Sequence, residues 1–242
     1  MTTGPDALAQ VIGRTRWLLL DFDGPICSIF AGQPASSVAA HMRALLAEEG
    51  TQLPASASSD PIEVLRSVAG LDPALTARIE SALRAAELTA SRTAEPTPYA
   101  REAILACHAT NRAVAVVSNN SQAAVETYLQ LHQLDHHVDL VVGRTQPDPT
   151  LLKPSPYLLV HAMQALGADQ DACAFVGDTS SDVQSARAAG VRSIGYANKP
   201  GKLDRLVGAG ADAVITTMAD LATTLRTHRS PAPTRPGLTG EL

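Results

Sequence analysis

The sequence predicts a doubly wound α/β fold: a parallel sheet between two layers of helices, with a smaller all-helical unit inserted after the first strand. Three observations carry this. Short apolar runs recur along the chain. Longer stretches with helical periodicity separate most of them. One segment, 31–97, breaks the alternation, because it holds helical patterns and no strand pattern. Strand, helix, strand in alternation implies parallel pairing through right-handed crossovers.

The first strand is "WLLL" at 17–20, an unbroken apolar run of the kind that suits a strand covered on both faces. The others are "AVAVVS" at 113–118, "VDLVVG" at 138–143, "ACAFVGD" at 172–178, "VRSIGYA" at 191–197 and "DAVITT" at 212–217. Helical patterns fall at 121–132, 155–167 and 181–190. Ser155 reads as an N-cap, Pro156 as the first helical residue, and Gly167 and Gly190 as left-handed stops. Inside the insertion, helices are expected at 35–49, 61–69 and 73–92, separated by "GTQLPASASSD" and "GLDP". The resulting partition is a core from 1–30 and 98–228, a helical cap over 31–97, and a tail at 229–242. The tail is rich in Pro, Gly and polar residues and is expected to be disordered.

Aromatic residues make up only 3% of the 242 residues, so the core must be built from Ala, Val, Leu and Ile. The formal net charge is −5 and no dense Lys/Arg run occurs, which argues against nucleic acid or an anionic membrane as the main partner. No stretch approaches the roughly 20 apolar residues of a membrane helix, and no basic segment followed by an apolar core suggests a signal peptide. Cys27, Cys107 and Cys173 lie far apart without a CxxC pattern, which points to reduced, buried thiols and a cytoplasmic location.

In a doubly wound sheet, ligands bind at the carboxyl ends of the strands. The first strand ends in Asp21 and Asp23, the second in Ser118-Asn119-Asn120, and the fourth in Gly177-Asp178, with Asp182 on the helix beyond. Lys153 lies just before the helix that precedes the fourth strand. Two carboxylates about 4 Å apart repel by about 4 kcal/mol at an effective dielectric near 20. Protonation or a bound cation relieves that repulsion. An all-oxygen set suits a hard ion such as Mg²⁺, which would tether a phosphate oxygen while Lys153 and the Ser118 hydroxyl hold others.

Plainer readings stand beside these. Asp182 can serve simply as an acid at a helix N-terminus. His132, His136 and His137 read as a polar loop before the third strand rather than a zinc site. Cys27 has no visible partner base and reads as a packing residue. Arg66 either reaches a substrate carboxylate or stays at the surface.

"DFDG", "VVSNN", "KPSP" and "GDTSSD", in that order, resemble the four motifs of the haloacid dehalogenase (HAD) superfamily, over roughly residues 16 to 220. The resemblance implies a Rossmann-like HAD core with a helical cap, and a hydrolase. It makes Asp21 the nucleophile that forms an aspartyl-phosphate, and Asp23 the acid and then the base. Ser118, Asn119 and Lys153 would bind the phosphoryl group with Asp21. Asp21, Asp23 (through its backbone carbonyl), Asp178 and Asp182 would surround Mg²⁺. An acid at position 23 resembles the phosphatases and phosphomutases rather than the dehalogenases. The insertion after the first motif is similar to that of phosphoglycolate phosphatase and β-phosphoglucomutase. The expectation is a Mg²⁺-dependent phosphatase of a small phosphorylated metabolite, monomeric or homodimeric. The alternatives are a phosphomutase, or a low-turnover binding or regulatory protein that keeps the fold.

Overall fold

Helices join the strands of the main sheet, and all of those strands run in one direction. The computed structural model describes residues 5–51, 53 and 59–230. In chain order these form α1 (Pro5–Ile12), β1 (Trp17–Leu20), β2 (Cys27–Ser28), α2 (Ala35–Glu48), α3 (Pro61–Val68), α4 (Pro73–Ala90) and β3 (Glu95–Pro96). Next come α5 (Ala100–Ala109), β4 (Ala113–Ser121), α6 (Gln122–Leu131), β5 (Leu140–Arg144) and α7 (Tyr157–Leu166). The chain continues as β6 (Cys173–Gly177), α8 (Ser180–Ala188), β7 (Arg192–Tyr196), α9 (Lys202–Ala209), β8 (Ala213–Ile215) and α10 (Met218–Thr227).

Among the described residues the main sheet has six strands in the order β5-β4-β1-β6-β7-β8, all parallel. The chain begins in the middle with β1, builds outward through β4 and β5, then crosses back to β6. That reversal opens a crevice at the carboxyl ends of β1 and β6, where doubly wound sheets bind ligands.

Side chains alternate along each strand and both faces are covered. Leu18, Leu20, Val114, Val116, Ala174 and Val176 face one side, packed with Ile12 of α1, Ile104 of α5, Tyr128 of α6 and Leu225 of α10. Leu19, Ala115, Val117 and Phe175 face the other, with Leu159 of α7 and Ala186 of α8. Met42, Leu65 and Leu83 of the inserted helices belong to this second cluster, so the insertion's apolar surface is continuous with that face of the sheet. Each such buried Leu contributes about 1.5–3 kcal/mol.

Local chemistry sets the ends of the inserted helices. Asp60 accepts from Ile62 N at 2.8 Å ahead of Pro61, and Asp72 accepts from Ala74 N at 2.9 Å ahead of Pro73. β2 and β3 pair antiparallel and tie the entry of the insertion to its exit. Two-residue strands carry no periodicity, and the sequence reading found no strand there.

Most expected elements agree within two residues, and two differ instructively. The helix expected from Pro156 begins at Tyr157, with Pro156 in the cap position and the Ser155 hydroxyl accepting from Tyr157 N at 3.4 Å. β4 runs on to Ser121, but its register against β5 shifts between Val117 and Ser121, which frees Ser118–Asn120 from the regular ladder. Gly167 and Gly190 take the expected positive φ, 59° and 70°. The tail expected at 229–242 lies, from residue 231, outside the described residues, as does most of 52–58. Among the described residues no helix is long and apolar enough to cross a membrane.

Candidate active site

The carboxyl ends of β1, β4 and β6 open onto a pocket of about 550 Å³, lined also by Phe30, Ile62, Arg66 and Glu87. Asp21, Asp23, Ser118, Asn119, Lys153, Asp178 and Asp182 all line it, so every site residue expected from the sequence converges here. Another cavity, of about 330 Å³ along β5, gathers no cluster of acids.

Lys153 is the hub. Its Nζ lies 2.8 Å from Asp21 Oδ1 and 2.7 Å from Asp182 Oδ1, and donates to Val117 O at 3.4 Å. Asp21 Oδ1 also accepts from Phe22 N at 2.7 Å. Asp182 is the acid at a helix N-terminus that the plainer reading expected, and it also pairs with Lys153, which the sequence did not suggest. Its Oδ2 accepts from Asp178 N at 3.1 Å, Thr179 N at 2.9 Å and Thr179 Oγ1 at 2.6 Å, a capping box that starts α8. Its Oδ1 faces the lysine. Asp21, Asp178 and Asp182 each offer a carboxylate oxygen, all within 4.8 Å of one another. The Asp23 carboxylate stands outside that group, at the pocket mouth, where Oδ1 accepts from Ile29 N at 3.1 Å.

The segment after Val117 is held through its own side chains. Ser118 Oγ donates to Asn120 Oδ1 at 3.1 Å and accepts from Asn120 N at 3.3 Å. Asn119 Oδ1 accepts from Lys153 N at 2.8 Å, and its Nδ2 donates to Lys153 O at 3.3 Å. Asn119 therefore fixes the backbone from which the Lys153 side chain departs. Two glycines make room: a Cβ on Gly24, at φ +111°, would lie 2.4 Å from Asp178 Cγ, and one on Gly177 would lie 2.3 Å from Asp182 Cβ.

A scan of family models matches residues 56–196 to the haloacid dehalogenase-like hydrolase family. The chain belongs to that family. The match takes in Ser118, Lys153, Asp178 and Asp182 and begins after Asp21 and Asp23. Phosphoglycolate phosphatase of Chromobacterium violaceum is 35% identical over 112 residues, 45% of this chain and 46% of that protein. Pyrophosphatase PpaX of Halalkalibacterium halodurans is 32% identical over 105 residues, 43% of this chain and 48% of that protein. The matched region thus spans about half the length of these curated relatives. A crystal structure described as a predicted phosphatase from Clostridium acetobutylicum aligns with TM-score 0.68 at 17% identity, over 87% of this chain and 98% of that one. CbbY from Rhodobacter sphaeroides, in complex with phosphate, aligns with TM-score 0.61 at 16% identity, over 86% and 96%. At such identities these likenesses speak to the HAD fold.

In this HAD-family site, three carboxylates share two ammonium groups, because Lys202 Nζ pairs with Asp178 Oδ2. Burial drives the Asp21 carboxyl upward; Lys153 pulls it back, and Asp182 and Asp178 push it up again. Burial works against the Lys153 charge, but Asp182 and Asp21 together hold its pKa above the usual value, so it stays an ammonium. Burial likewise raises Asp178 against the pull of Lys202. Burial raises the Asp23 carboxyl to about 6, against the opposing pull of the Ile29 N–H from which it accepts. Cys27 is buried and its thiol is held well above its usual pKa by burial, then by Asp23 and Asp21, so it packs as a neutral group.

The sequence reading missed four charged residues. Glu80, Glu87 and Arg144 form a buried network beside the Ser118 segment, and Lys202 reaches Asp178 from α9. The seven-residue spacing of Glu80 and Glu87, which puts both on one face of α4, was the available signal. Nothing in "NKPGK" marks Lys202 among surface lysines. Arg66 bridges Glu63 and the Lys153 carbonyl and lines the pocket. His132 stacks on Tyr128 with ring centroids 4.1 Å apart.

Proposed function

We propose that this chain is a Mg²⁺-dependent phosphatase that hydrolyses a small soluble phosphomonoester through an aspartyl-phosphate on Asp21. Residues 31–97 act as a cap over a core formed by 1–30 and 98–228. The observation that carries the reading is the Lys153 ammonium, 2.8 Å from the Asp21 carboxylate on the floor of a pocket that also holds Ser118 and Asp178. The phosphatase and pyrophosphatase relatives support hydrolysis at phosphorus.

Asp21 attacks phosphorus and the bond to the leaving alkoxide breaks. The carboxyl of Asp23, raised toward neutral pH, gives that oxygen its proton. Ser118 Oγ, the Asn119 N–H and Lys153 Nζ hold the non-bridging oxygens, so charge is balanced as it develops. The Asp23 carboxylate then takes a proton from water as that water attacks phosphorus. The bond to Asp21 breaks, phosphate leaves, and both acids return to their starting state.

The hard oxygen donors Asp21, Asp178 and Asp182 fit Mg²⁺, with the Asp23 carbonyl as a further ligand. When bound, the ion supplies positive charge against the phosphate oxygens and favours ionised Asp21. Phe30 of the core and Ile62 of the cap, both apolar and both lining the pocket, help keep water from the reacting centre. Three buried, unpaired thiols support a reducing, cytoplasmic setting.

Release of phosphate from para-nitrophenyl phosphate and a panel of small phosphoesters, with Mg²⁺, tests the proposal. Turnover in the wild type that falls about 10⁴-fold or more in Asp21→Asn is the expected result. No release from any substrate, with the protein folded and Mg²⁺ present, would overturn it in favour of a binding protein.

A further inference from the structure

Glu87 lies near the end of α4, within the inserted segment, and is fully buried against the loop that carries Ser118. Its Oε1 accepts from Asn120 Nδ2 at 3.1 Å and its Oε2 from Ser121 N at 2.9 Å. Arg144, the last residue of β5, donates to the same carboxylate through both terminal nitrogens, at 3.2 and 2.7 Å. Arg144 Nη1 also donates to Asn119 O at 2.5 Å. Its Nε is taken by Glu80 Oε1 at 3.0 Å, two turns earlier on α4.

Glu87 and Arg144 thus grip three consecutive residues, Asn119, Asn120 and Ser121, just where the β4 register shifts. The grip extends to the reacting centre. Asn120 holds Ser118 Oγ through its N–H and its Oδ1, and the Asn119 side chain clamps the Lys153 backbone. Burying ions stabilises a fold poorly, since desolvation offsets the attraction. What a fully hydrogen-bonded buried pair supplies is one geometry.

We propose that Glu87 and Arg144 are positioning residues. They fix the Ser118–Ser121 loop, and through Asn119 the base of Lys153, in the phosphate-holding conformation. The inserted segment thereby sets the affinity of the core for phosphoryl oxygens. The inference rests on the phosphatase reading above.

Calorimetric titration of inorganic phosphate with Mg²⁺ present tests it on the wild type, Glu87→Gln, Glu80→Gln, Ser118→Ala and the Ser118→Ala/Glu87→Gln double variant. Glu87→Gln weakens phosphate binding about tenfold. Glu80→Gln, equally buried and paired with the same arginine but touching no loop residue, weakens it less than about threefold while lowering the thermal midpoint comparably. In the Ser118→Ala background the effect of Glu87→Gln shrinks to about threefold, because one of the two groups it positions is gone while Lys153 remains. Should Glu87→Gln not fold, Arg144→Lys, which keeps the charge and loses the planar fork, carries the same expectations. Equal losses of affinity in Glu87→Gln and Glu80→Gln would overturn the proposal. So would a Glu87 effect undiminished in Ser118→Ala, since either means general loosening. A wild type that binds no phosphate, or binds it indifferently to Ser118→Ala, overturns the phosphatase reading, and the positioning role with it.

Discussion

Lys153 Nζ lies 2.8 Å from Asp21 Oδ1 at side-chain exposures of only 2% and 9%. An ammonium so placed is the counter-charge that allows Asp21 and Asp182 to be buried together. Lys153→Met leaves two carboxylates uncompensated and is expected to cost about 3–5 kcal/mol of stability at pH 8. The cost falls at pH 5, where Asp21 takes up a proton. Urea unfolding at the two pH values checks both parts.

Asp21 gives a pH dependence of defined sign. Its folded-state pKa is raised from 3.8 to about 7, so between these values the folded chain holds a proton that the unfolded chain has lost. Stability from this group is therefore full below about pH 4 and is lost as pH rises through 7. In metal-free protein, Asp21→Asn is expected to raise the thermal midpoint at pH 8 by roughly 3–5 °C and by much less at pH 5. A scan showing the larger gain at pH 5 would reverse the assignment.

With Lys202 paired to Asp178, a divalent cation bound as proposed is expected to compete with that lysine. The pair is largely buried, but its lysine arrives on α9 from the edge of the site. Lys202→Met is expected to lower the half-saturating Mg²⁺ concentration about two- to fivefold. Titration of Mg²⁺ followed by thermal shift reads this directly; weaker binding would make Lys202 a support of the metal site rather than a competitor.

Gly24 combines a positive φ with an approach that leaves no room for a methyl group, 2.4 Å from Asp178 Cγ. Gly24→Ala is expected to cost about 1–3 kcal/mol and to weaken Mg²⁺ binding together with stability. Denaturant unfolding with and without Mg²⁺ distinguishes the two losses.

Much of this architecture was readable because it is written in local chemistry. Six apolar runs named six strands, and doubly wound topology then brought Asp21, Ser118 and Asp178 to one edge without further information. What stayed hidden depends on tertiary meetings. The two-residue β2–β3 pair has no period to detect. Glu80 and Glu87 look like solvent-facing acids of an amphipathic helix until Arg144, from a distant strand, turns them into buried partners. Lys202 becomes a site residue only through the path of the chain after β7. The double duty of Asp182, helix cap and lysine partner, follows from its two oxygens facing different neighbours.

The central claim is that Asp21 takes up phosphorus. Asp23→Asn is expected to slow release from the proposed aspartyl-phosphate, so acid-quenched protein of that variant from a reaction with a turned-over phosphoester is the place to look. Mass spectrometry of its peptides is expected to find one added phosphoryl group on Asp21. A phosphoryl group on another residue, or phosphate release that persists undiminished in Asp21→Asn, would contradict the account.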